Sequence, residues 1–266
     1  MAAELIRKTL RDNRGNALGW GAVLVASVGL QLAVYPAVRD ARGDLDRLLD
    51  AYPEAFKALF GVQGSFTSGV GYVQAEVFGF LAPLVLLGVA IGQAARATAA
   101  EERAGTLDLL LASPVSRTRV LADKALAIMV GLLGVAAALA GVLVVGSRVV
   151  GLDVPVSGLV AACASAAVVA LPFGALALLV GAGTGRPGLA VAVPVGVALP
   201  AFLLDALSVL SDDLRPWRVL SPFHHAGIDD ALAGRPDWGG LALLLLVTAV
   251  VLGAAVAVFQ RHDVTR

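Results

Sequence analysis

The sequence predicts an all-α polytopic membrane protein with six transmembrane helices. Hydrophobic residues make up 58% of the chain and charged residues 15%, whereas soluble domains carry about 25% charged residues. A membrane-spanning helix needs roughly 20 apolar residues, and six runs approach that length. The predicted spans cover residues 17–38, 77–95, 125–146, 158–181, 189–209 and 239–260. With their loops, they are expected to form a single domain over residues 1–266.

A short basic segment, residues 1–16, precedes the first apolar run. Its cations are Arg7, Lys8, Arg11 and Arg14, an arrangement that also precedes the core of a signal peptide. The apolar run is too long for such a core and no convincing cleavage site follows it, so we expect a retained span. Two interpretations of the basic segment stay open. It is either an amphipathic helix on the inner membrane surface or an ordinary positive flank of the first span.

The distribution of lysine and arginine predicts the orientation. An even number of spans places both ends of the chain on the same side of the membrane. If those ends are inside, 12 cations lie on the inner side and 8 on the outer side, in agreement with the positive-inside rule. The preference for arginine over lysine suggests a GC-rich bacterial genome. The predicted location is therefore the bacterial inner membrane, with both termini cytoplasmic.

Two longer segments are predicted on the outer side. Residues 39–76 show a helical repeat of apolar side chains, which indicates an amphipathic helix broken near Pro53. The glycine-rich residues 61–71 then predict a flexible linker into the second span. Residues 210–238 contain tryptophans that suit the membrane interface, and residues 224–232 are expected to form one short helix there.

Asp205, near the outer end of the fifth predicted span, is the one candidate for substrate binding. A carboxylate inside a bilayer is costly and therefore suggests a function. Alternatively, Asp205 lies at the outer interface beside Asp212 and Asp213. His224 and His225 are adjacent in sequence, so on a helix they do not share a face, which argues against a paired metal site.

The chain contains no motif that predicts catalysis. There is no G-x-x-x-x-G-K-[ST], no G-x-S-x-G and no H-E-x-x-H. Glu101 and Glu102 begin the E-E-x-x-x-R signature of a family of intramembrane proteases, but Thr106 occupies the arginine position. The single cysteine, Cys163, cannot form an internal disulfide. We expect no catalytic residue and no metal site, and the zero net charge predicts no nucleic-acid partner.

Residues 99–124 form a polar stretch between the second and third spans that has the pattern of a protein-contact surface. Leu107, Leu110 and Leu111 recur at i, i+3 and i+4, so on a helix they share one face. Pro114 ends this helix because it lacks a backbone donor and restricts the residue before it. The stretch therefore predicts a short amphipathic helix on the cytoplasmic surface of the membrane.

Residues 102–117, ERAGTLDLLLASPVSR, resemble the cytoplasmic signature of ABC-2 type permeases, the membrane subunits of ATP-binding-cassette (ABC) transporters. The likeness is greatest to half-size bacterial permeases expressed apart from their ATPase. In that family this stretch supplies the coupling helix, which docks into a cleft of the ATPase subunit. The residues that the resemblance assigns to docking are Glu101, Glu102, Gly105, Thr106, Leu107, Asp108, Leu110, Leu111, Pro114 and Arg117.

The resemblance implies the transmembrane permease subunit of an ATP-driven exporter, with external helices before the sixth span. ATP and Mg²⁺ would bind to the separate ATPase subunit, and this chain would bind no cofactor. The apolar, alanine-rich spans favour a hydrophobic small molecule (a drug, antibiotic or lipid) as substrate. Because six spans are few for a substrate pathway, we expect a second permease copy or a paralogue beside this chain.

Two other function classes stay open from the sequence. An ATP-independent secondary carrier or a membrane assembly factor would need no ATPase subunit. A membrane enzyme would use Glu101, Glu102, His224 and His225. The predicted topology places these glutamates and histidines on opposite sides of the membrane, so they would not meet in one site.

Overall fold

In the computed structural model, the protein is a bundle of six long helices. The structure describes residues 2–41, 66–100 and 116–261, together with the single positions 43, 47 and 53. Within these ranges six helices are long and apolar enough to cross a membrane and no strand occurs, which confirms the predicted fold class. The first to sixth spans are Leu18–Asp40, Gly69–Thr98, Thr118–Val150, Val156–Thr184, Pro187–Ser208 and Trp238–Arg261.

Several helices continue beyond the apolar spans or are interrupted by tighter or wider turns. The α-helices are Ala2–Asp40, Gly69–Val73, Leu81–Ala95, Arg117–Val150, Val156–Thr184, Pro187–Ser208, Pro222–Ala226, Ile228–Leu232 and Trp238–Arg261. Two π-helical segments, Gln74–Phe78 and Arg96–Ala100, lie within or at the end of the second span, and Arg215–Leu220 is a 3₁₀-helix. The first helix is continuous, so the basic lead-in joins the first span without a break.

The fourth span is the central helix of the bundle. It packs against the second, third, fifth and sixth spans, whereas the first span packs mainly on the third. Burial follows this arrangement, since 67% of the apolar window of the fourth span is buried and only 17% of that of the fifth or the sixth. Small side chains permit the close packing. A Cβ atom added at Gly174 would lie 3.2 Å from the Cβ of Ala90.

The helix ends meet in two groups at opposite ends of the bundle. The junction end comprises residues 96–100, 116–124, 181–188 and 258–261. The cap end comprises residues 66–78, 147–158 and 205–240, which include the short helices between the fifth and sixth spans.

Glycine ends two of the long helices. Gly151 and Gly185 have φ angles of 68° and 60°, a left-handed conformation that glycine adopts without a Cβ clash. Pro187 then occupies the first turn of the next helix, where a missing N–H is tolerated. Only Gly185 and Arg186 therefore separate the fourth and fifth spans.

The second span begins at Gly69, well before the predicted start. The prediction of a flexible linker over residues 61–71 is therefore wrong for its last residues. The Ser68 hydroxyl caps the helix by accepting a backbone N–H at 3.0 Å, and Tyr72 is buried. A Cβ atom at position 69 would lie 3.0 Å from the Leu152 side chain, so glycine here permits close packing. The amphipathic helix predicted in the same loop lies outside the described residues.

The single helix predicted over residues 224–232 is also wrong. Two helices, Pro222–Ala226 and Ile228–Leu232, occupy this region. Gly227 between them has a φ angle of 53°, and a left-handed residue cannot continue an α-helix. The chain thus turns sharply at Gly227 within the cap end.

Candidate functional site

The candidate site is the insertion of residues 101–115 and the two helix ends that hold it. Most of the predicted docking residues lie outside the described part of the chain. They are Glu101, Glu102, Gly105, Thr106, Leu107, Asp108, Leu110, Leu111 and Pro114. Arg117 is the first residue of the third-span helix. The structure thus describes both attachment points of the insertion.

The second attachment point is a capped helix start. The Ser116 hydroxyl accepts the backbone N–H of Arg119 at 3.4 Å, and the Ser116 carbonyl accepts the N–H of Val120 at 3.1 Å. A serine in this position satisfies backbone donors that have no partner within the helix. The insertion therefore passes directly into a regular helix.

The first attachment point is the π-helical end of the second span. Lys124, in the second turn of the third span, is 1% exposed, and its Nζ donates to the carbonyl oxygen of Ala97. A buried ammonium group is costly without partners. The carbonyl end of a helix carries a partial negative charge and is a favourable partner for it. Lys124 thus connects the helix that enters the insertion to the helix that leaves it.

A close contact fixes the same helix end to the central span. Thr98 is buried, and its hydroxyl donates to the carbonyl oxygen of Ala94 at 3.0 Å. Gly181 of the fourth span faces this hydroxyl so closely that a Cβ atom would overlap it. Only glycine fits there without a shift of Thr98. The second and fourth spans therefore meet directly at the junction end.

The sixth span completes the junction end. Nε2 of Gln260 donates to the hydroxyl of Thr118 at 2.7 Å, which links the end of the sixth span to the start of the third. Phe259 is buried beside it. Contacts therefore join four spans near the two helix ends that border the insertion.

Asp205 lies at the cap end, where it pairs with a cation. Nε of Arg218 donates to the Asp205 carboxylate at 2.7 Å, with the two side chains 35% and 23% exposed. The Ser221 hydroxyl donates to the carbonyl oxygen of Ala201 at 2.8 Å and forms a second link between the fifth span and the segment that follows it. Asp205 thus connects the fifth span to the 3₁₀-helix.

His224 and His225 lie in the short helix Pro222–Ala226 at the cap end. A ring nitrogen of His225 is 2.8 Å from the carbonyl oxygen of Val219, and the rings of His224 and His225 are 5.3 Å apart. Burial, followed by the positive charge of Arg218, lowers the pKa of His224. No cluster of three or more metal-ligating side chains occurs within the described ranges.

The burial of Lys124 and its hydrogen bond to Ala97 are the important features that the sequence did not predict. Its charge suggested the boundary of the polar stretch, and the third span was predicted to start just after it. A lysine bordering an apolar run is usually exposed at the interface. One sequence pattern could have predicted that Lys124 lies inside a helix. Apolar residues flank it on both sides, Val120-Leu121 before it and Ala125-Leu126 after it, and they favour a continuous helix.

An all-α bundle of six spans, with an insertion between the second and third of them, defines a multi-pass membrane protein. The family model described as ABC-2 family transporter protein matches residues 3–264, nearly the whole chain. The chain therefore belongs to the ABC-2 transporter family and is a permease subunit of an ABC transporter, which confirms the resemblance seen in residues 102–117. A search of curated proteins found no match.

Proposed function

We propose that this chain is the permease subunit of an exporter for a hydrophobic small molecule in the bacterial inner membrane. A separate ATPase subunit binds ATP and Mg²⁺ and docks on the insertion. The observation that supports this proposal most is the attachment of the insertion at both ends. Ser116 caps one helix, and Lys124 bonds to the helix that precedes the insertion.

Rigid attachment explains how movement of the ATPase would reach the spans. The three leucines of the predicted docking face would contribute about 5 kcal/mol on burial, before the costs of ordering. Force applied there acts on the second and third spans directly. The Thr98–Gly181 contact passes it to the central fourth span.

A second permease copy or a paralogue completes the proposed assembly. The fifth span is buried over only 17% of its apolar window, and its valines and leucines are exposed on several faces. Lipid covers part of this surface and the second permease the rest. A purified complex whose mass fits one permease would contradict this part of the proposal.

The proposed orientation places the junction end and both termini in the cytoplasm. It is tested by single cysteines at positions 102 and 225 in a background in which the buried Cys163 is replaced by alanine. Membrane-impermeant maleimide applied to intact cells is expected to label position 225 and not position 102. Labelling of both from the same side would contradict the topology and restore the membrane enzyme as an alternative.

Docking is tested by Leu110→Asp, with Leu109→Asp as the matched control. On a helix, residue 110 shares a face with residues 107 and 111, whereas residue 109 lies on the opposite face. We expect Leu110→Asp to abolish co-purification of the ATPase and substrate-stimulated ATP hydrolysis, and Leu109→Asp to retain both. Equal behaviour of the two variants would contradict a docking face. Transport that needs no ATPase would favour a secondary carrier.

A further inference from the structure

The first and second spans share a group of polar and aromatic side chains near the cap end. Gln31 and Tyr35 are an i, i+4 pair on the first span, and Tyr72 and Glu76 are an i, i+4 pair on the second. The Tyr72 hydroxyl donates to the carbonyl oxygen of Gln31 at 2.7 Å. Nε2 of Gln31 lies 3.3 Å from a carboxylate oxygen of Glu76 and 3.2 Å from its carbonyl oxygen. We call these four residues the Gln31–Glu76 cluster.

The charge of this cluster is not balanced by the described residues. Glu76 lies inside a span and is half-buried, and a carboxylate in this position is costly unless a cation compensates it. In the described part of the chain, its side-chain donor is the neutral amide of Gln31. The other amide atom, Gln31 Oε1, is buried without a hydrogen-bond partner. The cluster therefore offers a carboxylate and a further acceptor to a group that carries positive charge.

The backbone of Glu76 is irregular at this point. Residues 74–78 form a π-helical segment in which the N–H of Gly79 bonds to the carbonyl oxygen of Gln74 at 2.6 Å. π-helical turns are rare and often occur at functional sites, because the wider turn changes the direction of side chains. Here the segment places both the carboxylate and the carbonyl group of Glu76 against Gln31.

Aromatic rings pack together within and beside the cluster. The ring centroids of Tyr35 and Tyr72 are 5.1 Å apart, and each residue is 3% exposed. Phe66 packs edge-on against Tyr72 at 5.6 Å. Aromatic rings and a carboxylate in one cluster are the side-chain types that recognise organic ammonium groups, through cation–π attraction and charge pairing.

We propose that the Gln31–Glu76 cluster binds the protonated amine of a cationic amphiphile. The ammonium group pairs with Glu76 and donates to Gln31 Oε1, and the apolar body of the molecule remains among the spans and lipid. This inference rests on the proposed transport function and narrows its substrate class to lipophilic amines.

The test measures binding to the purified full-length permease in nanodiscs, without the ATPase. Radiolabelled dodecylamine is the cationic probe, and dodecanol is the uncharged probe of equal chain length. Saturable binding above that of empty nanodiscs is compared for the wild type and for Glu76→Gln, which keeps the size of the side chain and removes the charge. We expect the dissociation constant for dodecylamine to rise about tenfold or more and that for dodecanol to stay unchanged.

Two further variants separate a binding role from a structural one. Glu76→Asp keeps the charge and is expected to retain most of the amine affinity. Asp212→Asn removes an exposed carboxylate at the cap end that already pairs with Arg215, and is expected to leave the affinity unchanged. Thermal unfolding of each variant in nanodiscs shows whether it is folded. If Glu76→Gln is unfolded, Gln31→Leu tests the same site by removing the buried acceptor.

The proposal is overturned if folded Glu76→Gln or folded Gln31→Leu binds dodecylamine as the wild type does, or if dodecanol binding falls equally. It is also overturned if the wild type shows no saturable amine binding. The measurement needs no ATPase, so it stands apart from the docking experiment. Equal behaviour of Leu110→Asp and Leu109→Asp, together with intact amine binding, would contradict the coupling role of the insertion alone.

Discussion

The junction end and the cap end of the bundle are held together by different kinds of contact. At the junction end, side chains connect the ends of the spans directly, as Lys124 does with Ala97 and Gln260 with Thr118. At the cap end, short helices connect the fifth and sixth spans and pack on the fourth, fifth and sixth. The junction end therefore has direct links between spans, whereas the cap end has an added layer of short helices.

Lys124→Ala, at the junction end, is expected to lower the free energy of unfolding the most. It removes a long buried side chain and its bond to Ala97, and large-to-small substitutions of buried side chains cost about 2–5 kcal/mol. Unfolding in mixed micelles with rising dodecyl sulfate measures the change. Lys124→Met keeps most of the volume and is expected to lose roughly half as much. Equal stability of Lys124→Ala and the wild type would show that the junction end does not depend on this contact.

Gly158→Ala is expected to disrupt the cap end almost as strongly. A Cβ atom at position 158 would overlap the backbone carbonyl of Leu232, which moves only with its whole short helix. Overpacking of this kind costs about 1–3 kcal/mol, and we expect the upper part of that range. The same micelle titration checks it. Gly188→Ala, with open space around its Cβ position, is the control and should change stability little.

Gly181→Ala is the equivalent substitution at the junction end and is expected to cost less. Its added Cβ meets the side chain of Thr98 and no backbone group, so a local shift relieves the overlap. We expect a loss of about 1 kcal/mol, reduced by the second substitution Thr98→Ala. A larger loss at position 181 than at position 158 would contradict the expectation that a backbone overlap costs more than a side-chain overlap.

Acidification is expected to lower stability slightly, and to do so at the cap end only. Because burial and Arg218 lower the pKa of His224 below its ordinary value of 6.5, the folded chain binds this proton less readily than the unfolded chain. Its contribution to stability is therefore complete above about pH 6.5 and is lost as the pH falls towards the lower folded pKa.

Hydrogen exchange at pH 7.5 and pH 5.5 provides the local measurement. We expect faster exchange in residues 215–232 at the lower pH, and His224→Gln should remove much of that difference. The described residues of the junction end contain no histidine, so their exchange rates, corrected for the intrinsic effect of pH, should stay constant. Equal acceleration at both ends would contradict the assignment to His224.

The sequence predicted the spans well because hydropathy is a local property. It predicted their ends poorly where tertiary contacts decide them. Gly69 belongs to the predicted linker, yet the helix starts there in the structure. The absence of a side chain at this position lets Leu152 pack against it. Lys124 looked like a boundary, yet its bond to Ala97 lets the helix continue through it.

The candidate sites likewise differ in whether they depend on a local sequence pattern or on a contact between distant parts of the chain. The docking residues of the insertion followed from a local pattern, and they stay a prediction because they lie outside the described residues. The contact between Gln31 and Glu76 joins residues 45 positions apart, so no local pattern pointed to it. Gln31 lies inside the first predicted span, and Glu76 lies one residue before the second.

The short link between the fourth and fifth spans restricts how these two helices can move. Gly185 and Arg186 are its only residues, so the two helices cannot separate at the junction end. A change in the angle between these helices would therefore displace them least at the link and most at the cap end. There the Asp205–Arg218 pair would keep the 3₁₀-helix attached to the fifth span, so that the two would move together.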